Sequence, residues 1–450
     1  AMATDLLSRY DQRVPRYTSY PTAPQFHAGV QEAAYRRWLA ELDAAEPLSV
    51  YVHVPFCDSL CWFCGCHTKI VRRHAPVAAY LDVLLREIEL VAGALPGRLP
   101  VCHLHLGGGT PTMLASADME RLFGTLRRFF AFQDDADIAV EIDPRAVPHG
   151  TLATLGRIGV NRASLGVQDL NPRVQKAVNR VQSLAETREV TNALRRAGIK
   201  SLNIDLMYGL PHQTVAGIRS TIDAVLGLAP DRLCLFGYAH VPWMKRHQKL
   251  IDEAALPGTE ERFAQYRTAA ERLQAAGYVW IGLDHFARPD DPLAVALSTR
   301  RLHRNFQGYT TDGAHARLGF GPSAIGALPQ GFVQNAVAMS AYWAAVDGGH
   351  LPVQRGLVLS DDDRLQGAVI EQLMCYLEVD LAAISRRFGR APDAFGDALD
   401  GLADPIADRL VTVRDGVLRV TPRGRPFVRT VCAQFDTYLA PDAQRHARAV

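Results

Sequence analysis

Four cysteines fall within ten residues: Cys57, Cys61, Cys64 and Cys66, in the run Val54-Pro55-Phe56-Cys57-Asp58-Ser59-Leu60-Cys61-Trp62-Phe63-Cys64-Gly65-Cys66. The first three are spaced C-x3-C-x2-C. Thiolates are the usual ligands of iron–sulfur clusters. This spacing can wrap three of them around one cube and leave its fourth iron without a protein ligand. An open metal position is what a catalytic site keeps and a structural site closes. The spacing also admits a zinc knuckle with Cys66 or His67 as a fourth ligand, although structural zinc sites usually join two separated pairs. A disulfide is a third reading. Eight cysteines with four of them clustered suit a reducing cytoplasm and metal chemistry better than a secreted disulfide scaffold. The other four, Cys102, Cys234, Cys375 and Cys432, stand singly in apolar surroundings and read as small buried hydrophobes.

Something must position that loop. From about residue 48 short β-rich runs recur at 48–55, 101–106, 138–142, 162–167, 201–207 and 232–238, with helical stretches such as 79–91, 119–130 and 185–197 between them. In the first helix Leu81, Leu84, Leu85 and Ile88 form one stripe. Alternating β and α elements predict parallel strands with helical crossovers. The fold class expected is α/β, an incomplete TIM-like (β/α)6 barrel with a mostly helical C-terminal domain. The expected organisation is an arm over 1–47, irregular around Pro15–Thr22, a barrel over 48–285 and the C-terminal domain over 286–450. A hairpin around Asp415-Gly416 gives the last domain a winged-helix-like end without a basic recognition helix, which reads as scaffold or lid.

The polar oddities fall at one end of each strand. The cysteines follow the first, Gly107-Gly108-Gly109-Thr110 the second, and Glu141, Gln168, Asp205 and Tyr238-Ala239-His240 close the rest. Active sites of α/β barrels sit at that rim. Glu141 and Asp205 lie in runs with apolar neighbours, where a bare carboxylate is costly unless it binds something. The glycines let backbone approach a ligand closely, or serve only a tight turn. They match neither the P-loop nor G-x-G-x-x-G.

Composition narrows the partners. The chain has 450 residues, 48% of them apolar, and a formal net charge of +2. That balance gives no global attraction to nucleic acid or to an anionic membrane. No run reaches the length of a membrane span, and the N-terminus lacks a signal pattern.

These residues carry a resemblance. C-x3-C-x-aromatic-C, here Cys57, Cys61, Phe63 and Cys64, is similar to the hallmark of the radical S-adenosylmethionine superfamily. The added Gly65-Cys66, the arm Arg16-Tyr17-Thr18-Ser19-Tyr20-Pro21 and Asn305-Phe306-Gln307-Gly308-Tyr309 resemble the oxygen-independent coproporphyrinogen III oxidase (HemN) family, almost end to end. The resemblance implies an oxidoreductase that decarboxylates two propionates of coproporphyrinogen III to vinyl groups, giving protoporphyrinogen IX in anaerobic heme synthesis. It implies a [4Fe-4S] cluster on Cys57, Cys61 and Cys64, and two S-adenosylmethionine molecules. Their contacts are expected from Tyr51, Phe63, Gly108, Gly109, Thr110, Glu141, Gln168, Arg180, Asp205, Ala239 and Ile325, divided between the two. Tyr51 is expected near the sulfonium and substrate, Cys66 in the family motif but not as a ligand, and Arg16 or Arg304 on the substrate carboxylates. An electron donor such as a flavodoxin or ferredoxin, a monomeric state and a cytoplasmic location are also expected. Heme chaperones and heme-opening methyltransferases of the same superfamily usually lack Cys66, and the chaperones also lack the arm.

Overall fold

The computed structural model describes residues 2–145 and 147–439. Six strands alternate with helices: β1 Leu48–Val54, β2 Pro100–Gly108, β3 Ala131–Ile142, β4 Arg162–Gln168, β5 Ser201–Tyr208 and β6 Arg232–Gly237. Each is parallel to the next, in chain order. Parallel neighbours need crossovers. Helices His74–Ala94, Ser116–Phe129, Thr151–Ile158, Leu184–Arg196 and Val215–Leu226 supply them. The apolar stripe of the first helix is its core face, with Leu81, Leu84 and Ile88 fully buried. Leu184–Arg196 starts at a reciprocal cap: Ser183 Oγ accepts from Glu186 N at 3.0 Å, and Glu186 Oε2 accepts from Ser183 N at 2.9 Å.

The sheet continues past these six. Strand β7 Arg317–Phe320 lies parallel to the free edge of β1, with Ser49 opposite Arg317 and Val52 opposite Phe320. Antiparallel β8 Ile325–Leu328, β9 Gly331–Asn335 and β10 Val353–Val358 follow. At the other edge β6 pairs antiparallel with His285–Ala287, which pairs with Val279–Ile281. The result is one open sheet of twelve strands, an incomplete barrel whose edges are extended rather than joined.

Two expectations need adjusting. The α/β rhythm breaks near residue 285, but the sheet does not end there, so the boundary set at 286 falls inside it. Hairpin strands need no crossover helix, which is why the alternating pattern stops while the sheet goes on. The N-terminal arm is also more ordered than its prolines suggest. Helices Met2–Tyr10 and Glu32–Ala40 flank the irregular stretch Pro15–Thr22.

A unit with its own core begins at helix Asp361–Tyr376, capped by Ser360. Leu365, Val369, Leu373, Leu381, Leu418 and Phe435 centre that core. Its three-stranded sheet contains the hairpin Val411–Arg414/Val417–Val420, turned by Asp415 and Gly416, both at positive φ as a two-residue type I′ turn requires. Tyr17 and Tyr20 of the arm insert into this core, and the Tyr17 hydroxyl donates to Asp436 at 2.8 Å. The two ends of the chain therefore clasp each other beside the barrel. Among the described residues no helix is long and apolar enough to cross a membrane.

Candidate active site

The cysteine loop is held at both ends. Phe56–Cys57 pairs in parallel with Lys69–Ile70; Lys69 N donates to Pro55 O at 2.6 Å and Val71 N to Cys57 O at 2.9 Å. Inside the loop Cys64 N donates to Cys61 O at 3.1 Å, and Trp62 N donates to Val178 O, outside it, at 2.9 Å. Asn179 Nδ2 donates to Leu60 O at 2.7 Å, and the imidazole of His247 contacts Cys64 O.

Each of the three sulfurs meets a donor. The Thr110 hydroxyl lies 3.4 Å from Cys57 Sγ. Arg145 Nη2 and Arg180 Nη1 lie 3.3 and 3.5 Å from Cys61 Sγ. Cys66 N lies 3.4 Å from Cys64 Sγ. Asp143 orients both arginines, at 2.6 Å from Arg145 Nη2 and 3.6 Å from Arg180 Nη2. Burial pushes the Cys57 thiol up to about 11, while contact with Cys66 draws Cys64 down and raises Cys66 in turn. A site that gathers hydrogen-bond donors and guanidinium charge around three sulfurs is built for sulfur that carries negative charge. Among the described residues, the one His/Cys/Asp/Glu group whose ligand atoms all lie within 4.8 Å of one another is Cys102, His103 and Asp312. The loop cysteines as a set do not meet that spacing.

The glycine turn at the end of β2 packs on this loop. A Cβ on Gly109 would sit 2.4 Å from Phe56 O, and one on Gly108 would sit 2.5 Å from the His53 ring. Gly108, at φ 108°, donates its N–H to Glu141 Oε2 at 3.2 Å. Both positions need glycine for close approach, and Gly108 also for conformation. The buried Arg180 Nε has no hydrogen-bond partner in the fold. An orphaned guanidinium N–H beside the thiols and a glycine cradle both fit an anionic cofactor set such as the cluster with S-adenosylmethionine.

Below the loop the barrel encloses a cavity of about 490 Å³. Of the residues singled out in the sequence, Tyr51, Cys66, Gly108, Glu141, Asp205 and Ile325 line it. Phe63, Gly109, Thr110, Gln168, Arg180 and Ala239 do not; several of these meet the cysteine loop directly. Phe63 packs against the cluster of Val174, Val178, Leu210, Tyr238 and Ile251. Ala239 O accepts from Gln248 Nε2 at 3.2 Å, and Gln168 sits at the end of β4 with φ 66°.

Sequence reasoning passed over several residues of this wall. Tyr51 lies 3.1 Å from His53 Nδ1 through its hydroxyl and stacks on His105, which in turn lies 3.0 Å from Glu141 Oε1. The signal was present: Tyr51-Val52-His53 and His103-Leu104-His105 alternate with apolar residues and so share one strand face. Burial lowers His53 to about 4, so its imidazole is neutral near pH 7. Burial also raises Asp205 to about 6 despite the amide of Asn203, 2.9 Å away.

Both candidate arginines line the cavity, with different commitments. Arg304 donates to Tyr17 O at 3.1 Å and Arg16 O at 2.9 Å, and lies 4.5 Å above the Tyr309 ring. Arg16 is exposed and makes no hydrogen bond or ion pair of its own to the described residues. Of the single cysteines, Cys234, Cys375 and Cys432 are buried and Cys102 is half-buried.

Comparison with known proteins follows this layout. A family model described as the Radical SAM superfamily matches residues 51–225, and one described as the HemN C-terminal domain matches 359–427. The oxygen-independent coproporphyrinogen III oxidase of Bradyrhizobium diazoefficiens is 49% identical over 450 residues, covering 100% of each chain. That of Pseudomonas aeruginosa is 42% identical over 451 residues, covering 99% of this chain and 98% of its own. The solved structure of coproporphyrinogen III oxidase (HemN) from Escherichia coli, described as a radical SAM enzyme, superposes with a TM-score of 0.90 at 42% identity. It covers 94% of this chain and 98% of that one.

Proposed function

Because the chain belongs to the oxygen-independent coproporphyrinogen III oxidase family, we propose that it decarboxylates two propionate side chains of coproporphyrinogen III to vinyl groups, giving protoporphyrinogen IX in anaerobic heme synthesis. The observation that carries this reading is the relation over the whole length, 49% identity across all 450 residues, barrel and C-terminal unit together. Each propionate loses one carbon dioxide, one hydrogen atom from its β carbon and one electron, so an acceptor must take the electron.

Bound together, the [4Fe-4S] cluster and S-adenosylmethionine supply a carbon radical able to take hydrogen from an unactivated carbon. Cys57, Cys61 and Cys64 are the residues for the cluster, with Thr110, Arg145 and Arg180 donating to their sulfurs. Gly108, Gly109, Thr110 and Glu141 form the cradle for S-adenosylmethionine next to it, with Phe63 and Ala239 beside the loop. Asp205 on the cavity wall, with Gln168 and Arg180 closer to the cysteine loop, serves the polar groups of the two S-adenosylmethionine molecules, and Ile325 on the same wall offers main-chain or packing contacts. Tyr51 and Cys66 face the space between cradle and substrate. We assign Arg16 to a substrate carboxylate, because its guanidinium lines the cavity near Asp284 without a hydrogen bond or ion pair to the described residues and so is available for a bidentate pair. Arg304 then serves as a positioning residue that holds the arm bearing Arg16. The strands and the docked arm wall part of the cavity, and such shielding from water favours a radical reaction.

A flavodoxin or ferredoxin is the expected electron donor, and a cytoplasmic monomer the expected form. The test is anaerobic. Reconstituted protein is mixed with coproporphyrinogen III, S-adenosylmethionine and dithionite, and the products are read by mass. Loss of two carbon dioxides with formation of 5′-deoxyadenosine supports the reading. Cofactor cleavage without decarboxylation refutes the substrate, and tight heme binding without cleavage points to a chaperone.

A further inference from the structure

The outer surface around the cysteine loop has a composition that nothing in the reaction uses. Nine large apolar side chains are exposed among the described residues, and five of them, Ile70, Val181, Trp243, Met244 and Leu250, belong to three segments beside that loop. Met244 is 60% and Val181 65% exposed. Each segment is tied to the loop by hydrogen bonds. Ile70 lies between Lys69 and Val71, whose N–H groups hold Pro55 and Cys57. Val181 follows Val178 and Asn179, which hold Trp62 and Leu60. Trp243, Met244 and Leu250 flank His247 and Gln248, which contact the carbonyls of Cys64 and Phe63.

The same segments carry positive charge. Lys69, Arg72, Arg73, Lys245, Arg246 and Lys249 lie on the first and third, and none of the stretches 69–73, 176–181 and 243–250 contains an aspartate or glutamate. The chain as a whole is nearly balanced, at +2, so the concentration is local. Scattered exposed apolar residues mean little, but a group of them inside one charged zone marks an interaction surface. Charge of one sign there speeds and orients encounter with a partner of the other sign.

Resting on the reading of the cysteine loop as a cluster site, we propose that this face docks a small acidic one-electron carrier protein, with its redox group against the cysteine loop. The step is a single electron transfer. The reduced carrier loses one electron, the cluster gains it, and no bond or proton is exchanged at the surface. An anionic membrane also favours basic and apolar residues together. The carrier is preferred because the patch follows the cysteine loop, the one place where a docked protein can deliver an electron, and is formed by loops and short helices, not by one amphipathic helix.

The test uses the full chain with its cluster reconstituted and the variants Met244→Asp, Leu250→Asp and Lys249→Glu. Binding of oxidised flavodoxin is measured by calorimetry. Bleaching of the cluster's visible absorbance is followed after mixing with flavodoxin hydroquinone or with dithionite. The expected result is a rise of about tenfold in Kd for each apolar variant. Slower bleaching by the hydroquinone, unchanged bleaching by dithionite, and wild-type binding that weakens between about 50 and 300 mM salt should accompany it. Absence of wild-type binding, variants that bind as wild type, or equal slowing with both reductants would overturn the proposal. So would variants that lose only binding to phosphatidylglycerol vesicles. Dithionite-driven decarboxylation by the wild type tests the catalytic reading separately, since it needs no carrier.

Discussion

Replacing Arg16 and Arg304 separately should divide substrate binding from architecture. The Arg16 guanidinium makes no hydrogen bond or ion pair to the described residues; only its carbonyl is used, by Arg304, so Arg16→Ala leaves no hydrogen-bonded group orphaned, and stability should change by no more than about 0.5 kcal/mol. A bidentate guanidinium–carboxylate contact in a partly open cavity is worth about 1.5–3 kcal/mol. Its loss should raise the KM for coproporphyrinogen III by roughly 10- to 150-fold. Arg304→Ala removes hydrogen bonds of 3.1 and 2.9 Å to the arm and a cation–π contact at 4.5 Å. That should cost roughly 2–4 kcal/mol of stability. The assay pairs anaerobic initial rates over a range of substrate with thermal unfolding of the same preparations. A KM for Arg16→Ala within twofold of wild type, together with an Arg304→Ala variant that raises KM at undiminished stability, would refute the division and exchange the two roles.

Three further outcomes follow from single side chains. Glu87 is buried among Tyr342, Asn335 and the Gly321 N–H, and burial raises it from the ordinary 4.5 to about 7. The fold therefore holds a proton that the unfolded chain has released, and stability should fall by roughly 3 kcal/mol as pH rises from about 4.5 to 7. Urea midpoints measured across that range should show it, with a flatter profile for Glu87→Gln. Gly109→Ala would press a Cβ to 2.4 Å from Phe56 O. Iron bound per chain after reconstitution should drop well below wild type, and iron at the wild-type level would show that the turn can yield. Arg180→Met removes a donor from Cys61, and since hydrogen bonds to cluster sulfur raise its potential, the midpoint in an EPR-monitored titration should move to more negative values; an unmoved midpoint would place that contact outside the cluster's influence.

How far a sequence discloses its site depends on whether the residues mark themselves locally. The six barrel strands were legible because parallel strands buried on both faces are short apolar runs separated by helices with a clear stripe, as in Leu81, Leu84 and Ile88. The cysteine loop was legible because its three sulfurs are close in the chain. Strands β7 to β10 were not, because they are only four to six residues long in a stretch rich in glycine and small apolar residues, and only pairing Ser49 with Arg317 shows that they extend the barrel. His53 and His105 were hidden differently. Their alternation is visible, but a histidine in a strand has no fixed meaning until Glu141 arrives from 36 residues away. The same holds for the arginines. Sequence placed Arg16 and Arg304 in two motifs of equal standing, 288 residues apart. Only the contact between the arm and the antiparallel pair His303–Asn305/Gly308–Thr310, which carries Arg304, shows that one guanidinium is spent on backbone carbonyls and leaves the other to face the cavity. What the chain conceals is therefore not which residues matter but which of them are already satisfied by the fold, and a site is made from those that are not.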